Sequence, residues 1–135
     1  MADTLTLLYV EDDRLSREVM ELIASTMPRV KRLYVFDDSS DFKNRLHSLP
    51  EIPTIILLDI HMKPIDGFQM LTLLREDPVY SEAIVVAVTA SVMNEEILKL
   101  QTSGFRGAIA KPLSIQTFPL LIDDIAAGKS IWHIG

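Results

Sequence analysis

Cysteine is absent from the 135 residues, which excludes disulfides, a thiolate nucleophile and any zinc or iron–sulfur site built on cysteine. A basic excess is missing too. Thirteen Lys and Arg face nineteen Asp and Glu, for a formal net charge of -6. No cationic field is available to displace counterions from a phosphate backbone, so direct DNA binding is not expected. The densest basic stretch, Arg29-Val30-Lys31-Arg32, reads as a solvated turn. Long apolar runs are also lacking. The longest, at 55–58 and 83–88, fall far short of the ~20 residues that span a bilayer, so no membrane insertion is expected. Met1-Ala2-Asp3-Thr4 carries neither the basic segment nor the apolar stretch of a secretory signal, which makes a cytoplasmic protein the default expectation.

What is present is an ordinary globular composition, 48% hydrophobic and 24% charged, at a length that supports one core without covalent staples. Five short runs rich in Val, Ile and Leu recur at 5–10, 32–36, 54–58, 83–88 and 107–110. Helical periodicity fills the intervals between them. Leu15, Val19, Leu22, Ile23 and Thr26 share one face of a helix that Pro28 stops. Asp38 or Ser39 can cap a helix carrying Phe42, Leu46 and Leu49. Asp66-Gly67 opens a third helix, with Phe68, Leu71 and Leu74 on one side and Asp77-Pro78 at its close. Met93, Ile97 and Leu100 define a fourth, ended at Ser103-Gly104. A fifth carries Ile115, Phe118, Ile122 and Ile125, with Gly128 as its stop. Pro119 cannot sit inside it, so this helix either begins near Thr117 or kinks.

Strands that are apolar throughout, alternating with helices five times over, predict a parallel sheet covered on both faces. The flavodoxin-like doubly wound α/β fold, five strands in the order 2-1-3-4-5, is the common solution at this size. A single domain over 1–128 is expected, with 129–135 as a short tail and no effector domain.

In such a sheet, ligands bind beyond the carboxyl ends of the strands, at the point where strand order reverses. The first strand ends in Glu11-Asp12-Asp13, the third in Asp59, the fourth in Thr89-Ala90 and the fifth in Lys111-Pro112. Taken singly, Asp13 and Asp66 read as helix caps, Thr89 as a turn hydroxyl and Lys111 as a solvated ammonium. Taken together, clustered carboxylates, one hydroxyl and one ammonium at one edge make a coherent set. Converging carboxylates need a cation, and oxygen ligands without Cys or His favour Mg2+. Asp is also a known nucleophile toward phosphoryl groups, so the set reads as a metal-assisted phosphoryl-transfer site.

These motifs, Glu11-Asp12, Leu57-Leu58-Asp59-Ile60-His61-Met62 with Asp66-Gly67 following, Val88-Thr89-Ala90 and Ala110-Lys111-Pro112, resemble those of the response-regulator receiver domains of two-component phosphorelays over residues 5–127. The resemblance implies that Asp59 is the phosphoacceptor. It implies Mg2+ held by Asp12, by Asp59, by Glu11 through water and by the backbone carbonyl of His61. Thr89, with Ala90 beside it, and Lys111 would meet the phosphoryl group. The implied partners are a histidine kinase or histidine phosphotransfer protein and a downstream protein target, with homodimerisation left open. The implied role is that of a signalling phosphoacceptor, catalysing at most its own phosphoryl transfer and loss.

Three features depart from the family pattern. Ala108 stands where the family usually has an aromatic residue, which would shift output toward the helix between residues 92 and 102. The loop Met62-Lys63-Pro64-Ile65 keeps its length but moves its proline and lacks a glycine. Asp13 makes three acids in a row. His61 and Ser91, each two residues past a site residue, occupy modulating positions, with the His61 imidazole read as facing solvent. The tail, with Ile131, Trp132 and Ile134, either folds back onto the domain, the favoured expectation, or offers an apolar anchor to a partner. Two rival classes stand beside this reading: a non-phosphorylated pseudo-receiver acting as an interaction domain, and an Asp-nucleophile hydrolase of the haloacid-dehalogenase type, which would want an acid where His61 stands.

Overall fold

The fold is a computed structural model that describes residues 4–90 and 93–133. Strand and helix alternate as β1 (Leu5–Val10), α1 (Arg14–Ser25), β2 (Val30–Phe36), α2 (Phe42–His47), β3 (Ile55–Asp59) and α3 (Gly67–Glu76). They continue as β4 (Ile84–Thr89), α4 (Asn94–Ser103), β5 (Gly107–Ala110), α5 (Phe118–Ala126) and β6 (Ile131–His133). All strand pairs are parallel, in the order β2-β1-β3-β4-β5-β6.

The side-chain alternation of β-strands splits the core between the two faces of the sheet. Leu8, Val10, Ile56, Leu58, Val85 and Ala87 pack with Phe42, Leu46, Met70, Leu71, Leu74 and Leu100 of α2, α3 and α4. Leu7, Tyr9, Ile55, Leu57, Val86 and Val88 pack with Met20 and Ile23 of α1 and with Phe118, Ile122 and Ile125 of α5. Both faces of β1 and β3 are therefore buried, which explains their continuous apolar sequence.

Local signals set the helix ends. Asp13 Oδ2 accepts from the Ser16 N–H at 2.9 Å and caps α1, a contact typically worth ~1 kcal/mol. Asp66 and Gln69 form a reciprocal capping box on α3. Thr117 precedes α5, so Pro119 falls in its first turn and the alternative of a kink is not realised.

Two expectations are corrected. Neither Asp38 nor Ser39 caps α2: the N-cap is Asp41, at φ 50°, without a side-chain cap bond. Ser39 is drawn away across the fold, where its hydroxyl donates to the Ile65 carbonyl at 2.6 Å and accepts from the Ile65 N–H at 3.0 Å. The sheet also has six strands rather than five. Ile131 to His133 of the tail fold back and pair with Gly107, Ala108 and Ile109. Three residues are too few for a periodic signal, but Gly107 is a local requirement for this strand. A Cβ at that position would overlap the Ile131 carbonyl oxygen. Ile134 and Gly135 lie outside the described residues.

Candidate functional site

The carboxyl ends of β1, β3, β4 and β5 meet on one edge, beside the point where strand order reverses at β1 and β3. Parallel register sets the placement: Asp59 lies beside Val88, and Thr89 beside Ala110. The Lys111 N–H donates to the Thr89 carbonyl at 2.8 Å, extending the ladder one step past β5. Glu11 and Thr89 have no exposed surface and Asp59 has 4%. Asp12 is exposed.

Carboxylate oxygens of Glu11, Asp12 and Asp59 all lie within 4.8 Å of one another. Lys111 Nζ donates to Glu11 Oε1 at 2.9 Å and lies 3.5 Å from Asp59 Oδ2. Three carboxylates thus face one ammonium. Burial, and then the adjacent Glu11 carboxylate, pushes Asp59 from 3.8 up to about 7. Burial alone would also raise Glu11, but its hydrogen bonding with Asp59, Tyr9 and Lys111 outweighs that and holds it below the ordinary value. Lys111 is raised in turn, because the Glu11 and Asp59 carboxylates outweigh the burial that would lower it. The edge is short of positive charge, and its side-chain donors are all oxygen. Such a set fits a hard divalent cation in place of the proton on Asp59.

The predicted residues Glu11, Asp12, Asp59, Thr89 and Lys111 therefore come together at one edge. Ala90 is exposed beside them and lines a cavity with Lys111. Ala108 is buried in β5, with Trp132 as its in-register neighbour on β6. The Trp132 ring packs on the same core face. Ser91 lies outside the described residues. His61 donates its backbone N–H to Asp59 Oδ1 at 3.3 Å. Its side chain is 62% exposed, in keeping with a solvent-facing imidazole, yet Nε2 sits 2.7 Å from Glu96 Oε1 on α4. Gly67 lets α3 start against the end of β3, since a Cβ there would come within 2.9 Å of the Ile60 Cα.

Tyr9 was not among the expected site residues. Its hydroxyl donates to Glu11 Oε1 at 2.6 Å, and burial followed by that bond raises the phenol far above its ordinary value. The signal was present, since Glu11 directly follows β1 and lies two residues past Tyr9, so the strand's alternation carries both side chains to the same side. Arg17 Nη1 donates to the Glu11 carbonyl at 3.0 Å, fixing the same residue from α1.

A family model for the response regulator receiver domain matches residues 7–123. The chain belongs to this family. This receiver domain is 30% identical over 79 residues to the peroxide stress-activated histidine kinase mak1 of Schizosaccharomyces pombe, a match covering 56% of the chain and 5% of the kinase. It is 26% identical over 136 residues to response regulator Rre1 of Synechocystis, covering 94% and 54% of the two. It therefore spans about a twentieth of the first relative and about half of the second. In fold it resembles the phosphorylated cyanobacterial phytochrome response regulator RcpA, with a TM-score of 0.76 at 17% identity over 90% of this chain and 91% of that one. No helix among the described residues is long and apolar enough to cross a membrane.

Proposed function

We propose that this receiver domain accepts a phosphoryl group on Asp59 from a phosphohistidine donor and signals through the change in charge. The observation that carries the reading is the position of Asp59: buried, at the end of β3, within 4.8 Å of two more carboxylates and 3.5 Å from Lys111 Nζ. In the transfer an Asp59 carboxylate oxygen bonds phosphorus while the phosphorus–nitrogen bond of the donor breaks. The electron pair stays on the imidazole nitrogen, which takes up a proton. Asp12, Asp59 and the His61 carbonyl would hold Mg2+ directly and Glu11 through water, and the ion supplies charge neutralisation for the transferring group.

The side chains divide the remaining work. Lys111 pairs with the phosphoryl oxygens, and Thr89 with neighbouring Ala90 meets them from β4. Glu11 is already engaged by Tyr9, Lys111 and the Asp13 N–H, which suits an anchoring rather than a directly ligating role. Phosphorylation leaves roughly -1.5 to -2 of charge on the group, enough to bias nearby elements. The donor is a histidine kinase or histidine phosphotransfer protein. The phosphorylated domain either contacts a downstream protein, a second copy included, or hands the phosphate on, in the cytoplasm.

The test is intact mass after incubation with Mg2+ and acetyl phosphate, for wild type and Asp59→Asn. One phosphoryl increment in the wild type alone is expected. A wild type that stays unmodified sinks the reading in favour of an interaction domain that is not phosphorylated.

A further inference from the structure

Glu11 is the most deeply buried acid of the edge, with no exposed surface. Its Oε1 takes two donors, the Tyr9 hydroxyl at 2.6 Å and Lys111 Nζ at 2.9 Å, and its Oε2 takes the Asp13 N–H at 3.2 Å. These donors differ in mobility. Tyr9 belongs to β1, with its ring enclosed in the core that β1 shares with α1 and α5. The Asp13 N–H is part of the backbone at the cap of α1. Lys111 instead carries its ammonium on a flexible four-carbon stem, and Nζ already lies 3.5 Å from Asp59 Oδ2. The ammonium is thus shared between Glu11 and the phosphoacceptor, while the phenol donates to Glu11 and stays where the strand puts it.

We propose that Tyr9 is a positioning residue that keeps the Glu11 carboxylate hydrogen-bonded when Lys111 turns to the phosphoryl group, and thereby lowers the barrier to transfer. This rests on the phosphoacceptor reading. As the bond between Asp59 and phosphorus forms, the phosphoryl oxygens bring negative charge that the ammonium must meet. Lys111 meets it by loosening its hold on Glu11. Without the phenol, Glu11 Oε1 would then be a buried charged atom stripped of its side-chain donors, an unfavourable state. A donor already seated on the same oxygen removes that penalty. The resting site needs it less, because there Lys111 holds Oε1 as well.

The experiment uses Tyr9→Phe, which keeps the ring and deletes the hydroxyl. Two quantities are read: the Mg2+ dissociation constant of the unphosphorylated domain, by isothermal titration calorimetry, and the rate of phosphorylation by acetyl phosphate at saturating Mg2+, by intact mass. In that reaction an Asp59 oxygen bonds phosphorus, the bond from phosphorus to the acetyl oxygen breaks, and acetate leaves with the electron pair. The rate should fall about tenfold, the weight of one hydrogen bond to a buried charge, while the Mg2+ constant stays within about twofold of wild type. Glu11→Gln removes the charge that would be stranded, so adding Tyr9→Phe to it should change the rate by less than about twofold. That pair of variants decides the matter if Tyr9→Phe alone does not fold. A wild-type rate in Tyr9→Phe, a Mg2+ constant that weakens as much as the rate, or an undiminished loss of rate in the Glu11→Gln background would each overturn the role of Tyr9. A wild type that takes no phosphoryl group refutes the phosphoacceptor reading and this role with it, whereas a phosphorylated wild type matched in rate by Tyr9→Phe refutes the role alone.

Discussion

Replacing Asp59 by Asn should stabilise the folded domain, and the gain should depend on pH. The displacement of Asp59 from 3.8 to about 7 corresponds to about 4 kcal/mol by which its ionised form disfavours folding at alkaline pH. Between those two values the folded chain keeps a proton that the unfolded chain has released. Stability therefore falls as pH rises through that window and levels off above it. Asn removes the charge but also gives up the ionic attraction to Lys111, so we expect about half of the total, ~2 kcal/mol at pH 8 without divalent cations. For a domain of this size that is a rise in Tm of roughly 6–8 °C. Thermal melts followed by circular dichroism, in EDTA at pH 8 and near pH 4.5, measure it directly. Most of the gain should vanish at the lower pH, where Asp59 is protonated in the folded wild type. An equal gain at both pH values would mean that packing rather than charge explains it, and a loss at pH 8 would refute the electrostatic account of the site.

Two further outcomes follow from the same geometry. Lys111→Ala leaves Glu11 and Asp59 buried without their ammonium, and should cost ~2–3 kcal/mol in urea unfolding at pH 8. Excess Mg2+ should shrink that deficit, and an identical deficit with and without the ion would contradict a shortage of positive charge at this edge. Gly107→Ala should drive β6 off the sheet edge, at a cost of ~1–3 kcal/mol from overpacking. The single tryptophan, Trp132, reports on that strand. Its emission should move to longer wavelength, and an unshifted spectrum would show that β6 accommodates the methyl group.

Much of the site was legible because the fold turns a sequence position, the end of a strand, into a place. Glu11, Asp59, Thr89 and Lys111 each end or directly follow an apolar run, and parallel register carries all four to one edge. Asp13 and Pro119 were readable for a local reason, since cap chemistry and a missing N–H act within one helical turn. What escaped reading is tertiary. Ser39 left its expected cap for a loop 26 residues away. Glu96 meets His61 across 35 positions, and nothing in either neighbourhood announces the pair. β6 is recognised by its partner strand rather than by its own three residues.

The strand order bears on how the chain assembles during synthesis. β1 must wait for β2 and β3, but from β3 onward every new strand joins the same open edge in the order in which it is made. Each helix-and-strand unit finds its template already in place, so the growing sheet never has to part to admit a later strand. β6 arrives after the other described strands and offers only three residues at the rim. So short a stretch of open backbone is a poor template for a foreign strand, and the outermost of the described strands thereby discourages further growth of the sheet.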